Sequence, residues 1–436
     1  MDPSVLDQLL QTKMHRELDV RRPFEKVLRT TEQRQAKLQV IPSHPKEFQY
    51  ETAHVPSLKA FKEYFQMHRL FLESCPETKM TRLQMKSLLQ SYLGTPRTSK
   101  LMKQVHCMVK QLLQITADGS RQRVASQEVG FNIPFMAPQL HTLFSPIRRL
   151  ASSRLRDIYS IGFDGALRDC FILKYPTSLQ EGLYSSIHEM VVSYSTNALR
   201  EKTMSFQYGL GGFFCSMKDN LCDSRYPATF LSVYEFIPGE TLEQMIESLN
   251  RTEVLHVLLQ IGNSLLIGRR ELRFRHNRLL CRNVILRKQI EKKMSIGSYK
   301  FTTTLQPALT DFSHSAIFHD SSKQWVLPTY LKQAYPVDLV DGDIPGWDLY
   351  LLLHSMMYTC YMAKLTEHLS LVSEILRWMQ TQMKTVFLLD DLVKLQQFPY
   401  AEIQEIPDIA KRKDLVEDLS RITIEDWMTY LVSLLT

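Results

Sequence analysis

Apolar positions divide the chain into three stretches of different periodicity. In residues 1–146 the apolar side chains mostly recur every three or four positions, which is the period of an amphipathic helix. From residue 147 to 241, short runs rich in β-branched and aromatic residues alternate with turns, which favours strands. Residues 242–436 return to helical spacing. We therefore predict a helical extension, a strand-rich segment and a mostly helical segment, in that order.

The same periodicity predicts individual elements. Helices are expected at residues 2–40, 58–75, 81–93, 99–115, 183–201, 242–248, 254–270 and from 345 onwards. Strands are expected at 156–161, 170–174, 206–214 and 229–236, with a long hairpin at 290–305. The Pro-rich stretch at 130–146 is expected to wrap a surface. Strands that precede a mostly helical second half indicate an α+β fold.

The most informative stretch is residues 274–286, with the sequence F-R-H-N-R-L-L-C-R-N-V-I-L. His276, Leu279 and Asn283 have the spacing of H-R-D-L-x-x-x-N, the catalytic loop of protein kinases. Further on, a predicted buried strand at 308–310 runs into Asp311-Phe312-Ser313, which resembles the D-F-G motif. In kinases the Asn and the Asp of these motifs bind the magnesium ions that bridge the nucleotide phosphates.

Other motifs of the same family occur in matching order. Lys174 ends F-I-L-K, which resembles the V-A-I-K strand, and Glu189 on the next predicted helix resembles the Glu that clamps that Lys. Glu235 and Ile237 lie in V-Y-E-F-I-P-G, which resembles the hinge whose backbone meets adenine. Asp348 in G-W-D-L-Y resembles the buried Asp that supports the catalytic loop from below.

Residues from about 147 to 400 therefore resemble a degenerate protein-kinase-like domain, similar in particular to the serine/threonine kinase-like proteins of large nucleocytoplasmic DNA viruses. The resemblance implies a bilobal α+β fold, with a β-rich lobe over 147–241, a helical lobe over 242–436 and a basic, mostly helical extension over 1–146. We expect no cofactor with certainty, and the resemblance implies ATP with Mg²⁺ as the candidate if one binds. It also implies nucleotide contacts at Lys174, Glu189, Glu235 and Ile237, and metal contacts at Asn283 and Asp311.

Several positions depart from the family pattern. Arg278 stands where the catalytic Asp belongs, and a guanidinium cannot accept a proton in a protein. No G-x-G-x-x-G precedes Lys174, since residues 151–154 read A-S-S-R, and the glycines at 209–212 follow the Lys and predict a tight strand or bulge. Ser313 replaces the Gly of D-F-G, and no A-P-E follows. We therefore expect no catalysis from the degenerate positions His276, Arg278 and Asn283.

Arg278 permits two interpretations. Its guanidinium could pair with Asp311 and take the place of a metal ion, which would give metal-free nucleotide binding or a self-neutralised cleft. Alternatively, Arg278 makes a structural salt bridge and nothing binds, which we favour. His276 is expected to pack and to bond backbone near Asp311 rather than to act as a base.

Positive charge is concentrated in the first third of the chain. Residues 1–150 hold 23 Lys and Arg against 13 Asp and Glu, whereas the whole chain carries a formal charge of +7. A basic segment favours an acidic partner, such as an acidic protein surface, nucleic acid or an anionic membrane. The alternative is a solvated helical face. A protein partner is the expectation we carry forward.

Cysteine usage and apolar runs indicate a compartment. The seven cysteines are scattered, with no C-x-x-C pair and no even framework, so we expect neither zinc nor disulfides and a reducing, intracellular environment. No apolar run reaches the roughly 20 residues that span a bilayer. The first residues lack the features of a secretory signal. We therefore expect a cytoplasmic protein, found in the virion if the chain is viral.

Three functions are compatible with these features. The first is a catalytically inactive kinase-like protein that binds or scaffolds, in a large virus a virion or assembly protein. The second is an unconventional serine/threonine kinase or nucleotide transferase, with Asp320, Asp341 or Asp343 as the base. The third is a nucleic-acid-binding protein that uses the basic first third, for which binding would depend strongly on salt.

Overall fold

The computed structural model describes residues 75–76, 78–94, 97–115, 144–152, 156–163, 167–176, 180–216, 228–319, 324–326, 344–383 and 409–436. All of them belong to one compact unit, Val55–Thr436. The predicted helix at 2–40, and all but the last residue of the one at 58–75, lie outside these ranges. So do the candidate bases Asp320, Asp341 and Asp343.

Two helices precede a five-stranded antiparallel sheet. The elements in this part are α1 (Arg82–Gly94), α2 (Ser99–Ile115), β1 (Phe144–Ser152), β2 (Arg156–Phe163), β3 (Leu167–Pro176), α3 (Gln180–Asn197), β4 (Gly209–Ser216) and β5 (Ala228–Glu235). The strand order is β1-β2-β3-β5-β4, so β5 lies between β3 and β4. A short 3₁₀ turn at Ala198–Glu201 follows α3.

The second part of the fold is mostly helical. Its elements are β6 (Glu240–Thr241), α4 (Leu242–Met245), α5 (Arg251–Leu272), β7 (Val284–Ile296), β8 (Tyr299–Leu309), β9 (Ile317–His319), β10 (Gln324–Val326), α6 (Gly346–Met362), α7 (Thr366–Thr381), α8 (Ile409–Arg421) and α9 (Ile424–Ser433). The strands form a β6-β7-β8 sheet and a β9–β10 pair, both antiparallel. A mixed α+β fold with antiparallel sheets is therefore confirmed.

The two faces of the five-stranded sheet are buried against different helices. Successive side chains of a strand point to opposite faces. Phe171 and Leu173 of β3 pack into one apolar cluster with residues of α1 and α2, whereas Ile172 joins the core that contains α3 and the helical part. The ring of Tyr92 on α1 lies 5.9 Å from that of Phe171. The helix pair therefore covers one face of the sheet, and the opposite face is left for α3.

Helix α5 forms the centre of the helical part. A capping box begins it, since the Asn250 side chain accepts from the Glu253 amide and the Glu253 carboxylate accepts from the Asn250 amide, both at 2.9 Å. Gly262 lets α9 approach closely, because a Cβ at this position would lie 2.8 Å from the Trp427 ring. Trp427 is fully buried at this contact.

Most of the local predictions agree with the described elements. The helices expected at 81–93 and 99–115 correspond to α1 and α2 within one residue. The first strand was missed, because the stretch at 130–146 was expected to wrap a surface and the first strand was expected at 156–161. Strand β1 begins at Phe144 and lies at the edge of the sheet. An edge strand tolerates a proline, which has no amide hydrogen to donate.

One disulfide contradicts the expected cysteine chemistry. The structure joins Cys75 to Cys107 on α2, so the expectation that these cysteines stay unpaired is wrong for this pair. A bond between residues 32 positions apart cannot be recognised from sequence spacing alone. Cys170, Cys281 and Cys360 are buried thiols. Among the helices that the structure describes, none has the length and apolarity needed to cross a membrane.

Truncation of Tyr92 tests the packing of the helix pair on the sheet. Tyr92→Ala should lower the free energy of unfolding by about 3 kcal/mol, because it removes a fully buried aromatic ring. Leu83→Ala on the same helix is the control, since Leu83 is 77% exposed and should change stability by no more than about 0.5 kcal/mol. Urea unfolding measures both, and equal effects would contradict the described packing.

Candidate functional site

The segment between α5 and β7 is anchored from below by a buried carboxylate. The carboxylate oxygens of Asp348 on α6 accept hydrogen bonds from the backbone nitrogens of His276 and Asn277, each at 2.7 Å. Burial raises the pKa of Asp348, while His276 and these amide bonds oppose the rise. Asn277 adopts a positive φ of 61°, and Arg273 ends α5 in the left-handed region. Asp348 therefore takes the supporting position that the sequence predicts for it.

His276 links this loop to the segment around Asp311. Its ring Nε2 lies 2.9 Å from the Thr310 carbonyl, so the ring donates a hydrogen bond there. The ring also packs 5.7 Å from Phe312, which contacts Phe206 and Phe274 in turn. His276 is completely buried. These contacts agree with the predicted packing role.

Asn283 is used within the loop. Its side-chain amide donates to the Arg278 carbonyl at 2.9 Å, and its own carbonyl accepts the Thr310 amide at 2.9 Å. These bonds close the loop against the strand that leads to Asp311. The side-chain nitrogen of Asn283 is therefore already used within the loop. A metal contact at Asn283 would use the side-chain oxygen, which is a separate group.

Lys174 and Glu189 form the predicted ion pair. Lys174 on β3 binds Glu189 Oε1 on α3, and the two side chains are 4% and 1% exposed. The amide of Phe312 donates to the same carboxylate oxygen at 3.1 Å. The Lys174 ammonium also lies 4.5 Å from the centre of the Tyr234 ring. The pair thus joins the sheet, α3 and the start of the Phe312 turn.

Arg156 completes the site, and sequence reasoning missed it. It is the first residue of β2, and its guanidinium binds Glu189 through Nη1 and Asp311 through Nη2. Nη2 also donates to Ser313 Oγ at 2.7 Å, and Ser313 Oγ lies 2.7 Å from Asp311 Oδ1. A lone Arg at a strand start has no sequence signature.

The charges in this cleft balance each other. Two cations, Lys174 and Arg156, meet two carboxylates, Glu189 and Asp311. Burial would raise the pKa of Asp311, but Arg156, and after it Lys174 and Arg278, hold that pKa well below its usual value. Asp311 is therefore ionised and in contact with a guanidinium at neutral pH.

Arg156 competes with a metal ion for Asp311. A divalent ion needs carboxylate oxygens that are open to it, and Oδ1 of Asp311 already binds Arg156 and Ser313. Within the described ranges, no group of three or more His, Cys, Asp or Glu side chains comes together as a metal site. The metal contacts predicted at Asn283 and Asp311 therefore stay a prediction, with one oxygen of Asp311 bound to protein groups.

Arg278 lies against His314. Arg278 Nη1 is 2.7 Å from His314 Nε2, which requires a neutral imidazole that accepts the bond. Burial, and next the Arg278 charge, lower the pKa of His314 to about 3. Arg156 forms an ion pair with Asp311, and the charge of Arg278 contributes to the low pKa of Asp311.

The segment expected to meet adenine is bonded by side chains of the protein. The Glu235 carbonyl accepts from Gln207 Nε2 at 3.2 Å, and the Phe236 carbonyl accepts from Arg97. The Glu235 carboxylate is fully buried against Arg200, with two bonds of 2.9 Å. Burial would raise the pKa of Glu235, but Arg200, Arg287 and Arg97 lower it to about 2. Ile237 is buried as well.

Comparisons with known proteins give no relative. No protein-family model matches this chain, and no curated protein matches it. Functional conclusions therefore depend on the residues of the site and their geometry.

Removal of Arg156 tests the network in the cleft. Arg156→Ala should lower the free energy of unfolding by about 3 kcal/mol or more, since Glu189 would keep a buried charge with one partner fewer. Arg149→Ala is the control. The Arg149 side chain is 51% exposed and pairs with Asp157, so its loss should cost less than about 1 kcal/mol. Similar losses in chemical denaturation would contradict the bridging role of Arg156.

The depressed pKa of His314 predicts a pH dependence. The unfolded chain binds a proton at His314 below about pH 6.5, whereas the folded chain binds it only near pH 3. Stability should therefore fall as the pH is lowered through this window, at up to about 1 kcal/mol per pH unit. His314→Gln keeps an acceptor for Arg278 but does not titrate. Denaturation curves from pH 7 to 4.5 should have a smaller slope for His314→Gln, and equal slopes would refute the prediction.

Proposed function

We propose that this chain is a catalytically inactive protein-kinase-like protein that acts as a binding or scaffolding component. The order of the elements supports this proposal. Along the chain, the five-stranded sheet precedes the mostly helical part, and α3 follows β3 and comes before β4. The Lys174–Glu189 pair and the Asp348 anchor have the positions that the kinase resemblance implies. The bilobal arrangement, with lobes over 147–241 and 242–436, is part of the same proposal.

The observation that carries the proposal is the contact of Arg156 with both Glu189 and Asp311. In kinases the Asp of this motif binds magnesium, and the metal neutralises the phosphates. Here a guanidinium of the protein binds that carboxylate. A nucleotide with its metal would have to displace Arg156 and leave it without its carboxylate partners. The cleft is thus stabilised without a ligand.

Phosphoryl transfer also lacks a group to accept the proton of a substrate hydroxyl. Arg278 takes the position of that base, and His276 and His314 are each engaged through Nε2. Geometry and electrostatics provide most of the catalysis in this reaction class, and both depend on bound metal and phosphate. An Arg at the base position and a second Arg at the metal position oppose transfer for separate physical reasons.

A fold that stays ordered without nucleotide can present a constant surface. The basic first third of the chain fits an acidic partner surface, and a protein partner remains our proposal for it. If the resemblance to viral kinase-like proteins reflects origin, the role is that of a virion or assembly component.

Nucleotide titration tests the inactive state. The melting temperature of the full chain should stay unchanged with about 1 mM ATP or ADP, with or without Mg²⁺ or Mn²⁺, because a ligand that does not bind cannot stabilise the folded state. The Arg156→Ala variant is titrated in parallel, since it frees the carboxylate of Asp311 for a metal.

Two outcomes would change the proposal. A metal-dependent rise in the wild type would support the unconventional kinase or transferase and would require a phosphotransfer assay. A metal-independent rise would show that the arginines of the cleft bind the phosphates themselves. A rise confined to Arg156→Ala would support Arg156 as the group that excludes nucleotide.

A further inference from the structure

A second group of buried charges lies at the end of β5, apart from the cleft. Three arginines surround the carboxylate of Glu235, and they come from distant parts of the chain. Arg97 precedes α2, Arg200 lies in the turn after α3, and Arg287 lies on β7. The arginines are 5–8% exposed and Glu235 is fully buried. We call these four residues the arginine cluster.

The arginines differ in how well they are bonded. Arg200 binds both oxygens of Glu235 at 2.9 Å and donates to the Phe206 carbonyl at 2.9 Å. Arg97 lies 3.5 Å from Glu235 and donates to the Phe236 carbonyl. Arg287 approaches Glu235 only to 3.9 Å. Its Nε and Nη2 have no hydrogen-bond partner among the residues that the structure describes.

Rearrangement within the cluster does not remove the excess charge. Gln306 lies directly opposite Arg287 on β8, and its buried Oε1 also has no partner in the described part of the chain. A bond between the two would satisfy a donor of Arg287 but would not neutralise it. The buried Tyr92 hydroxyl lies within electrostatic range of Arg97 and Arg287. Burial raises the pKa of this hydroxyl, and the charges of the two arginines oppose the rise.

The charge of the cluster calls for a counter-ion. Within the described residues, three guanidiniums share one carboxylate, which leaves two positive charges in excess. Arg cannot relieve this by losing a proton. Burial of an uncompensated charge is strongly unfavourable, and a neutral water molecule would not compensate it. An anion would accept hydrogen bonds from the unpartnered nitrogens of Arg287 and neutralise part of the excess.

We propose that the arginine cluster binds a small inorganic anion at Arg287. The anion would accept hydrogen bonds from Arg287 on β7 and would offset part of the charge that Arg97, two residues before α2, adds to the cluster. The arginine cluster shares no residue with the network of Arg156, Glu189 and Asp311, so its occupancy does not depend on the function proposed above.

Chloride is the first probe. The full chain is melted at a constant ionic strength of about 0.15 M while sodium gluconate is replaced stepwise by sodium chloride. Gluconate is the bulky reference anion, and chloride should raise the melting temperature saturably relative to it, on the order of 3 °C. A parallel series with phosphate distinguishes a tetrahedral anion from a spherical one. Equal melting temperatures in all three salts would overturn the proposal.

Two variants assign the effect to the cluster. Arg287→Met should abolish the anion dependence, whereas Lys288→Met, at the neighbouring exposed position, should retain it. An anion dependence that persists in Arg287→Met would refute the assignment. If Arg287→Met does not fold, ³⁵Cl NMR of the wild type provides the test: excess line broadening that phosphate displaces supports the site, and its absence contradicts it.

Discussion

The guanidinium of Arg156 lies between two carboxylates that are far apart in the chain, 33 and 155 residues away. Because Glu189 is almost completely buried, its charge must be compensated inside the protein, and Lys174 and Arg156 together compensate it. Such a network does not necessarily stabilise a fold more than apolar residues would, but the loss of one member leaves a buried charge. The network therefore determines where β2, α3 and the turn at Asp311 must lie relative to one another.

The loop between α5 and β7 meets this network from the other side. Asp348 holds the backbone of His276 and Asn277, and the His276 ring bonds the residue before Asp311. The neutral imidazole of His314 accepts from Arg278 close by. These hydrogen bonds hold neighbouring segments together. These contacts are all made between groups of the protein, so the geometry of the cleft does not need a ligand to hold it.

The cleft and the arginine cluster differ in charge balance. In the cleft two cations meet two carboxylates, so the group is neutral. Around Glu235, the residues that the structure describes supply three cations and one carboxylate. An uncompensated excess of buried charge is unfavourable, so the arginine cluster favours the binding of a counter-ion. Through Arg97, the cluster also connects the helix pair α1–α2 to the residues that follow β5.

The sequence alone determined the elements that depend on local periodicity and the residues that belong to local motifs. The sequence predicted helices α1, α2 and α5 and strand β3. It also predicted the Lys174–Glu189 pair and the support of His276 by Asp348. Period and capping are properties of neighbouring residues, so one sequence reveals them. The predicted kinase-like relationship depends on the same motifs.

Only the tertiary structure decided which long-range partners these residues take. It showed that Arg156 binds Asp311, that Glu235 is surrounded by arginines, and that Cys75 bonds Cys107. It also placed Pro146 in an edge strand. An Arg carries the same charge wherever it stands in a sequence, and its partner is set by which side chains the fold brings within a few ångströms. For that reason, the sequence could identify candidate residues of the cleft but could not assign the partners that they bind.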